Sequence, residues 1–345
     1  MTLFLATTRK MENKKVLVVG AGGFVGGFLV QEGLELGYEV WAGIRASTSR
    51  KYLADDRIRF VEFDFDKPET LDAALVDAMP EGHWDYIVYN LGATKVKTYA
   101  DFNRINYDYL RRFTEALKRT GKIPEKFLYM SSLSAMGPGD EKGYSPFTEE
   151  MIPCPNTRYG ASKLKAEIWL QSSELPYIIF RPTGIYGPRD HDYFLMFKSI
   201  AKGFDFSVGL RRQMLTFVYV TDLAKAVYMA LASAPVKEIY NISEPKAYSQ
   251  KMFRNFAKKS MGRKFVFPMR MPLWTVRWVS WCAEKIGVIR NNPSTLNSDK
   301  YRIMKQRNWN VDTSKARDDF GFVAETTLQE GISKTVNWYK EEQWL

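Results

Sequence analysis

Residues 14–26 read Lys-Lys-Val-Leu-Val-Val-Gly-Ala-Gly-Gly-Phe-Val-Gly, and this stretch decides the fold. Lys14–Gly20 is short, apolar and β-branched, the pattern of a parallel strand buried on both faces. Gly20–Gly27 is dense in glycine and predicts a tight turn; Phe28–Leu36 then predicts a helix that stops near Gly37. The glycines at 20, 23 and 26 lie between strand and helix. Such glycines let the backbone turn sharply and approach a pyrophosphate closely. The helix start adds N–H donors and the positive end of a dipole. Gly20, Gly23, Phe24, Val25 and Gly26 are therefore expected to hold a dinucleotide.

Outward from this stretch, strands are expected at Tyr38–Ile44, Arg57–Phe63, Trp84–Asn90, Lys126–Met130 and Tyr177–Arg181. Helices are expected at Leu71–Ala78, Phe102–Arg119 and Tyr159–Ser172. This alternation predicts an α/β fold, a Rossmann-type doubly wound parallel sheet with helices on both faces. After Tyr186 the alternation weakens, although sheet elements are expected again near Phe217–Ala232 and Ile239–Ile242. The division expected is a dinucleotide-binding domain of residues 14–185 and 216–242, a smaller and mostly C-terminal substrate lobe of residues 186–215 and 243–330, and a tail helix over 331–345.

The 345 residues allow a large core. No apolar run approaches the roughly 20 residues of a membrane-spanning helix, and the opening Met1–Ala6 is too short for a signal-peptide core. Residues 1–13 read as a lead-in, with Met11 an alternative start. Two unpatterned cysteines, Cys154 and Cys282, fit a reducing cytoplasm, and two isolated histidines, His83 and His191, argue against a His-based metal site or a Ser-His-Asp triad. The net charge of +11 suits an anionic partner, but no nucleic-acid-binding signature accompanies it.

Three further places carry chemistry. First, an acid at the end of the second strand would hold a ribose 2′-hydroxyl. Here that strand ends Ile44-Arg45, with Ser47, Ser49 and Arg50 following. A guanidinium matches a 2′-phosphate, so NADP(H) is expected in preference to NAD(H), which stays open as a substitute. Asp64 and Phe65, after the third strand, could meet the adenine. Second, Tyr159-Gly-Ala-Ser-Lys163 puts a phenol and an ammonium on one helical face. A neighbouring cation would lower the phenol's pKa from its ordinary value near ~10 and fit it to exchange protons with an alcohol or carbonyl. Third, Ser132 lies where a strand ends in hydroxyls, placed to hydrogen-bond a substrate oxygen; Ser131 and Ser134 are weaker candidates.

Taken in order, these residues resemble the extended short-chain dehydrogenase/reductases, the NAD-dependent epimerase/dehydratase family. The resemblance runs through Asn90-Leu-Gly-Ala93, Asn106, the Ser131–Gly137 stretch and Tyr159–Lys163. It continues through Arg181-Pro-Thr-Gly-Ile-Tyr-Gly-Pro-Arg189, Phe217–Asp222, Asp312–Ala316 and Phe320-Gly-Phe322. It implies Ser132, Tyr159 and Lys163 as a catalytic triad with Asn106 in support, and Lys163 also on the nicotinamide ribose. It further implies cofactor contacts at Leu91, Gly92, Ala93 and Lys95, with Pro182 on the nicotinamide side. Asn90 stands where many members have histidine.

Two departures bear on substrate. Nucleotide-sugar members usually carry Asn-Val-Tyr-Gly and an arginine just before the Phe-Val-Tyr-Val strand. Here Gly184-Ile-Tyr-Gly187 and Leu215-Thr216 stand instead, with Arg211 or Arg212 able to compensate. The Pro-Thr-Gly-Ile-Tyr-Gly stretch is closer to the 3β-hydroxysteroid dehydrogenase, dihydroflavonol reductase and bacterial ceramide reductase branch. That resemblance implies reduction of a ketone, or oxidation of the alcohol, on a hydrophobic molecule such as a 3-oxo lipid or sterol. The alternative is a nucleotide-sugar epimerase or dehydratase with tightly held NAD(P); a third is a scaffold that keeps the fold without catalysis. Within Met269–Arg290, Trp274, Trp278 and Trp281 recur at helical spacing among cations. This segment reads as a peripheral membrane contact, a lipid-pocket mouth or a core face. Met196, Phe197, Phe204 and Phe206 are candidates for apolar pocket wall. A cytoplasmic enzyme, with membrane association or homodimerisation allowed, is the expectation.

Overall fold

The computed structural model describes residues 14–289 and 297–345. The suggested lead-in and Arg290 lie outside them. Strand β1 (Lys15–Val19) is buried along Val16–Val19. It alternates as a strand must, with Val16 and Val18 in one apolar cluster and Leu17 and Val19 in another. Two buried faces explain why the segment is continuously apolar.

Six more strands join it: β2 (Glu39–Ile44), β3 (Arg59–Glu62), β4 (Tyr86–Tyr89), β5 (Lys126–Met130), β6 (Tyr177–Pro182) and β10 (Glu238–Ile242). Their order across the sheet is β10-β6-β5-β4-β1-β2-β3. Every pairing is parallel, as in Val16 beside both Val40 and Tyr86. The chain reverses direction across the sheet at β1, with β2 on one side and β4 on the other. The connections that follow β1 and β4 therefore run to opposite sides of the sheet, and a crevice opens at the carboxyl ends of these strands.

One face is covered by α1 (Phe24–Glu35), through Phe28, Leu29 and Leu34; the other is covered by α2 (Leu71–Ala78), through Leu71 and Leu75. Beside α2, a short α3 (Tyr99–Asn103) leads through a π-helical turn, Arg104–Asp108, into α4 (Tyr109–Thr120), and α5 (Arg158–Gln171) adds Ala166 and Leu170. Two smaller pairs are β7 (Gly184–Tyr186) with β9 (Phe217–Tyr219), and β8 (Phe204–Val208) with β11 (Phe267–Met271). The remaining helices are α6 (Phe194–Ala201), α7 (Val220–Ser233), α8 (Gln250–Ser260), α9 (Leu273–Ile289), α10 (Ser298–Lys305), α11 (Ser314–Phe320) and α12 (Leu328–Glu341). A separate cluster joins Phe197 and Ile200 of α6, Phe253 of α8, and Leu328, Ile332, Val336 and Tyr339 of α12.

Three expectations change. Helix α1 starts at Phe24, before the expected Phe28. Gly26 and Gly27 belong to its first turn because the helix lies against β1's exit: a Cβ on Gly26 would sit 2.2 Å from the Gly20 carbonyl oxygen. The glycines mark close packing as well as turning. The expected long helix from Phe102 is interrupted by the π-turn. Residues 217–232 are mostly α7, with only Phe217–Tyr219 extended, and those pair with β7 and not with the main sheet. The apolar run there is a buried helix, indistinguishable from a strand by hydrophobicity alone.

Candidate active site

The loops after β1 and β4 touch. Gly20 has φ +84°, and a Cβ there would lie 2.9 Å from the Leu91 nitrogen, so only glycine satisfies both turn and contact. Gly23 caps α1 without any side-chain hydrogen bond, leaving the helix's opening N–H groups to face the crevice. Gly22 lies under Thr48 of the loop after β2, whose methyl would be 2.0 Å from a Cβ at 22. That loop also carries Arg45, an exposed residue whose backbone N–H donates to the Thr48 hydroxyl at 3.1 Å. A glycine cradle and a helix start without a side-chain cap fit the pyrophosphate of a dinucleotide.

The chemical cluster is assembled by two elements. Strand β5 ends at Met130, and Ser131 and Ser132 follow; the Ser132 hydroxyl accepts from the Ser134 N–H at 3.2 Å. Helix α5 is capped by Thr157, whose hydroxyl accepts from Gly160 N–H at 3.0 Å. Gly160 lets this helix meet the serine loop, since a Cβ there would lie 2.2 Å from the Ser134 carbonyl oxygen. Tyr159 is thereby brought close to Ser132, and one turn on lies Lys163. The buried Lys163 ammonium donates to the Met130 carbonyl at 2.8 Å and lies 4.9 Å from the Tyr129 ring.

Asn106 sits inside the π-turn and is fully buried. Its Oδ1 accepts from Ala93 N–H at 2.7 Å, and its Nδ2 donates to the Ala93 carbonyl at 3.1 Å and to Ser162 Oγ at 2.9 Å. Ser162 in turn donates to the Tyr159 carbonyl at 2.7 Å. Asn106 thus links the loop after β4 to the tyrosine helix. Single π-turns in helices commonly occur where side-chain placement matters more than regularity. Gly92 closes the group: a Cβ would be 2.9 Å from Lys163 Nζ and 3.1 Å from Asn106 Oδ1.

The electrostatics correct one expectation. The Tyr159 phenol is raised above its ordinary value, not lowered; burial pushes it up, the nearby Ser132 hydroxyl pulls it back, and Asp192 adds to the rise. Lys163 is itself desolvated, and its ammonium is lowered to about 7 against the opposing pull of Glu167. A cation so weakened cannot dominate its neighbour. The pair at neutral pH holds a protonated phenol beside an ammonium close to its midpoint, a cluster loaded to give a proton.

Lys95 is ion-paired with Asp192. Pro182 ends β6, buried, beside Ile242. Asp64 is exposed, its Oδ1 accepting from Asp66 N–H at 3.1 Å. Phe65 is a core ring stacked 5.2 Å from Tyr109, so only its backbone is available to a ligand. Arg211 and Arg212 are exposed. The tryptophans are not a core face: Trp274, Trp278 and Trp281 are 73%, 65% and 56% exposed. Phe197 is core, whereas Phe204 and Phe206 face out.

Sequence reading missed two supports. Glu167, one turn beyond Lys163, is fully buried and pairs with Arg181 of β6 at 2.6 Å. Asp299, at the start of α10, accepts the Tyr159 backbone N–H at 3.1 Å. Glu167 shares the helical face of Tyr159 and Lys163 and could have been suspected from that spacing. Asp299 lies 140 residues from Tyr159, and no local signal announces it.

Residues 16–243 match the family model described as NAD dependent epimerase/dehydratase family. Over 332 residues the chain is 24% identical to a ceramide reductase of Caulobacter vibrioides, covering 96% of each chain. Over 344 residues it is 25% identical to a UDP-glucose 4-epimerase of Vibrio cholerae, covering 95% of each. Among solved structures, an epimerase from Methanothermobacter thermautotrophicus superposes with a TM-score of 0.79 at 17% identity, over 99% of this chain and 97% of that one. A dTDP-glucose 4,6-dehydratase from Bacillus anthracis, solved in complex with NAD, superposes with a TM-score of 0.75 at 20% identity, over 96% and 98%.

Proposed function

Because the chain belongs to the NAD dependent epimerase/dehydratase family, we propose that it is an NADP(H)-dependent reductase of a ketone on a hydrophobic substrate, and works in the cytoplasm. The observation that carries this reading is the protonated, partly buried Tyr159 phenol close to Ser132 and one helical turn from the buried Lys163. When bound, the reduced nicotinamide supplies the hydride. Ser132 orients the substrate oxygen and Tyr159 gives it a proton, which completes the alcohol; Lys163 steadies the phenolate left behind. Asn106 holds Ala93 and, through Ser162, the tyrosine helix in register. Gly20, Gly23, Phe24, Val25 and Gly26 cradle the pyrophosphate, Leu91, Gly92 and Pro182 line the crevice, and Arg45 meets the 2′-phosphate.

A 3-oxo lipid, such as a ketosphingoid base or an oxidised ceramide, is the substrate class favoured. The ceramide reductase relative supports it, as do the exposed aromatic residues beyond the crevice. A screen of ketolipids, sterols and sugar nucleotides that follows NADPH absorbance tests it. Fastest consumption with a ketolipid is expected; consumption only with a water-soluble ketone would overturn the lipid assignment. The second reading is internal recycling of the cofactor on a nucleotide sugar, favoured by the epimerase and dehydratase relatives.

Two further outcomes follow from the site. Arg45→Asp removes a charge-assisted hydrogen bond to the 2′-phosphate, worth about 1.5–3 kcal/mol. It should lower kcat/KM with NADPH by roughly 10- to 100-fold and leave the value with NADH nearly unchanged; steady-state kinetics with both cofactors checks this. The second outcome concerns pH. Lys163 loses its proton as pH rises through about 7, while the raised Tyr159 keeps its own. The kcat/KM for reduction should therefore be highest below about 7 and fall above it. A profile flat from pH 6 to 9 would remove Lys163's charge from the mechanism.

A further inference from the structure

Strand β8 carries its residues the wrong way round for a strand that faces water. Phe204 and Phe206 are 45% and 48% exposed, while Asp205 and Ser207 between and beyond them are 5% and 8% exposed. A half-buried strand normally turns its polar residues outward. Asp205 is instead anchored inward, paired with Arg254 at 3.0 Å. On the neighbouring strand, exposed along Phe267–Arg270, Phe267 lies beside Phe204 and Met269 beside Phe206. The outward face of this two-stranded sheet is thus a small apolar platform.

The platform continues without a spacer into helix α9. Strand β11 ends at Met271, and α9 begins at Leu273. Gly209 after β8 donates to the Met271 carbonyl at 2.9 Å, so the strand ends and the helix start form one structure. Helix α9 turns Val276 and Ser280 inward and presents Trp274, Trp278 and Trp281. Amphipathic tryptophan rings suit the boundary between headgroups and acyl chains. No described helix is long and apolar enough to cross a membrane, so such contact would be peripheral.

Charge selects the occupant. Between residues 198 and 212 and between 263 and 285 there are only two acids, the buried Asp205, paired with Arg254, and the half-buried Glu284, which is hydrogen-bonded. Glu284 accepts from the Ser298 hydroxyl at 2.6 Å and also from Tyr99. What faces solvent beside the aromatics is cationic: Lys202, Arg211, Arg212, Arg270, Arg277 and Lys285. An apolar face beside cations, with both acids of these segments held by neighbouring side chains, complements a surface of acyl chains beneath anionic headgroups.

We propose that the outward face of β8 and β11, together with the tryptophan face of α9, docks on an anionic lipid bilayer. It rests on the lipid-substrate reading, for which it supplies the route of delivery. Cosedimentation of the full chain with vesicles, without cofactor or ketolipid, tests it. The wild type should bind phosphatidylglycerol-containing vesicles at least tenfold more than pure phosphatidylcholine vesicles. Trp274→Ala/Trp278→Ala/Trp281→Ala and Arg270→Glu/Arg277→Glu should each lose that binding by tenfold or more, with unfolding midpoints unchanged because these side chains lie outside the core. Wild type that fails to bind overturns docking, as does equal binding by the charge-reversed variant. So does a wild-type dimer that the tryptophan variant converts to monomer, since a second copy would then cover the face. Retained ketolipid reduction in detergent with no vesicle binding would sink docking alone; vesicle binding with no ketolipid reduction would sink the substrate assignment alone.

Discussion

Tyr159→Phe should lower kcat for carbonyl reduction by at least about 10³-fold, within the range general acids contribute, and change cofactor binding less than twofold. The substitution removes one oxygen and leaves the ring, which lies 6.0 Å from that of Phe102, in place. The hydrogen bonds that hold the residue come from its backbone, through Asp299 and Ser162, and survive. What is lost is the proton donor. Water cannot readily replace it, because a substrate seated against Ser132 would fill the approach. Stopped-flow measurement of hydride transfer beside a fluorescence titration of NADPH separates the two effects. An active phenylalanine variant would move the proton donor elsewhere.

Glu167→Gln should cost the folded protein about 3–5 kcal/mol, because it strands a buried cation. The carboxylate is 0% exposed and the Arg181 guanidinium 2%. Two more contacts, Nε to Oε1 at 3.1 Å and to Oε2 at 3.2 Å, complete a fork, and the Ser131 hydroxyl donates to the same carboxylate. Arg181 Nη1 already has no partner among the described residues, so nothing stands ready to share the charge. Against typical stabilities of about 5–15 kcal/mol this is a large fraction, and the urea midpoint should drop accordingly. The variant has a second, independent effect. Glu167 raises the Lys163 pKa, so its neutralisation should move the basic limb of the reduction profile to lower pH. A variant as stable as wild type with an unmoved limb would show that the pair is neither structural support nor electrostatic neighbour to the site.

Strand β1, the glycine loop and the Tyr159–Lys163 pair were legible because each rests on local chemistry: β-branching, absent Cβ atoms, and one helical turn. The centre of the sheet followed from alternation. The boundaries of α1 were not legible, since Gly26 and Gly27 look like turn residues until β1 is seen beneath them. The π-turn around Asn106 was equally hidden, because its cause is a set of contacts to Ala93 and Ser162 that no local pattern encodes. The sign of the Tyr159 shift was misread for a related reason. Spacing announces a cation one turn away, but only burial reveals that this cation is itself lowered to about 7. The tryptophans of α9 had three readings in the sequence, and their exposure removes the core reading at once.

In the proposed reaction Ser132, Tyr159 and Lys163 complete a net reduction, in which the cofactor leaves oxidised. Its most direct test is stoichiometry: purified enzyme, one ketolipid, limiting NADPH, and product alcohol quantified beside the NADP⁺ formed. One NADP⁺ per alcohol is expected at every stage of the reaction. Turnover of any substrate with no net change in NADPH would contradict it and assign the same cluster to an epimerase or dehydratase.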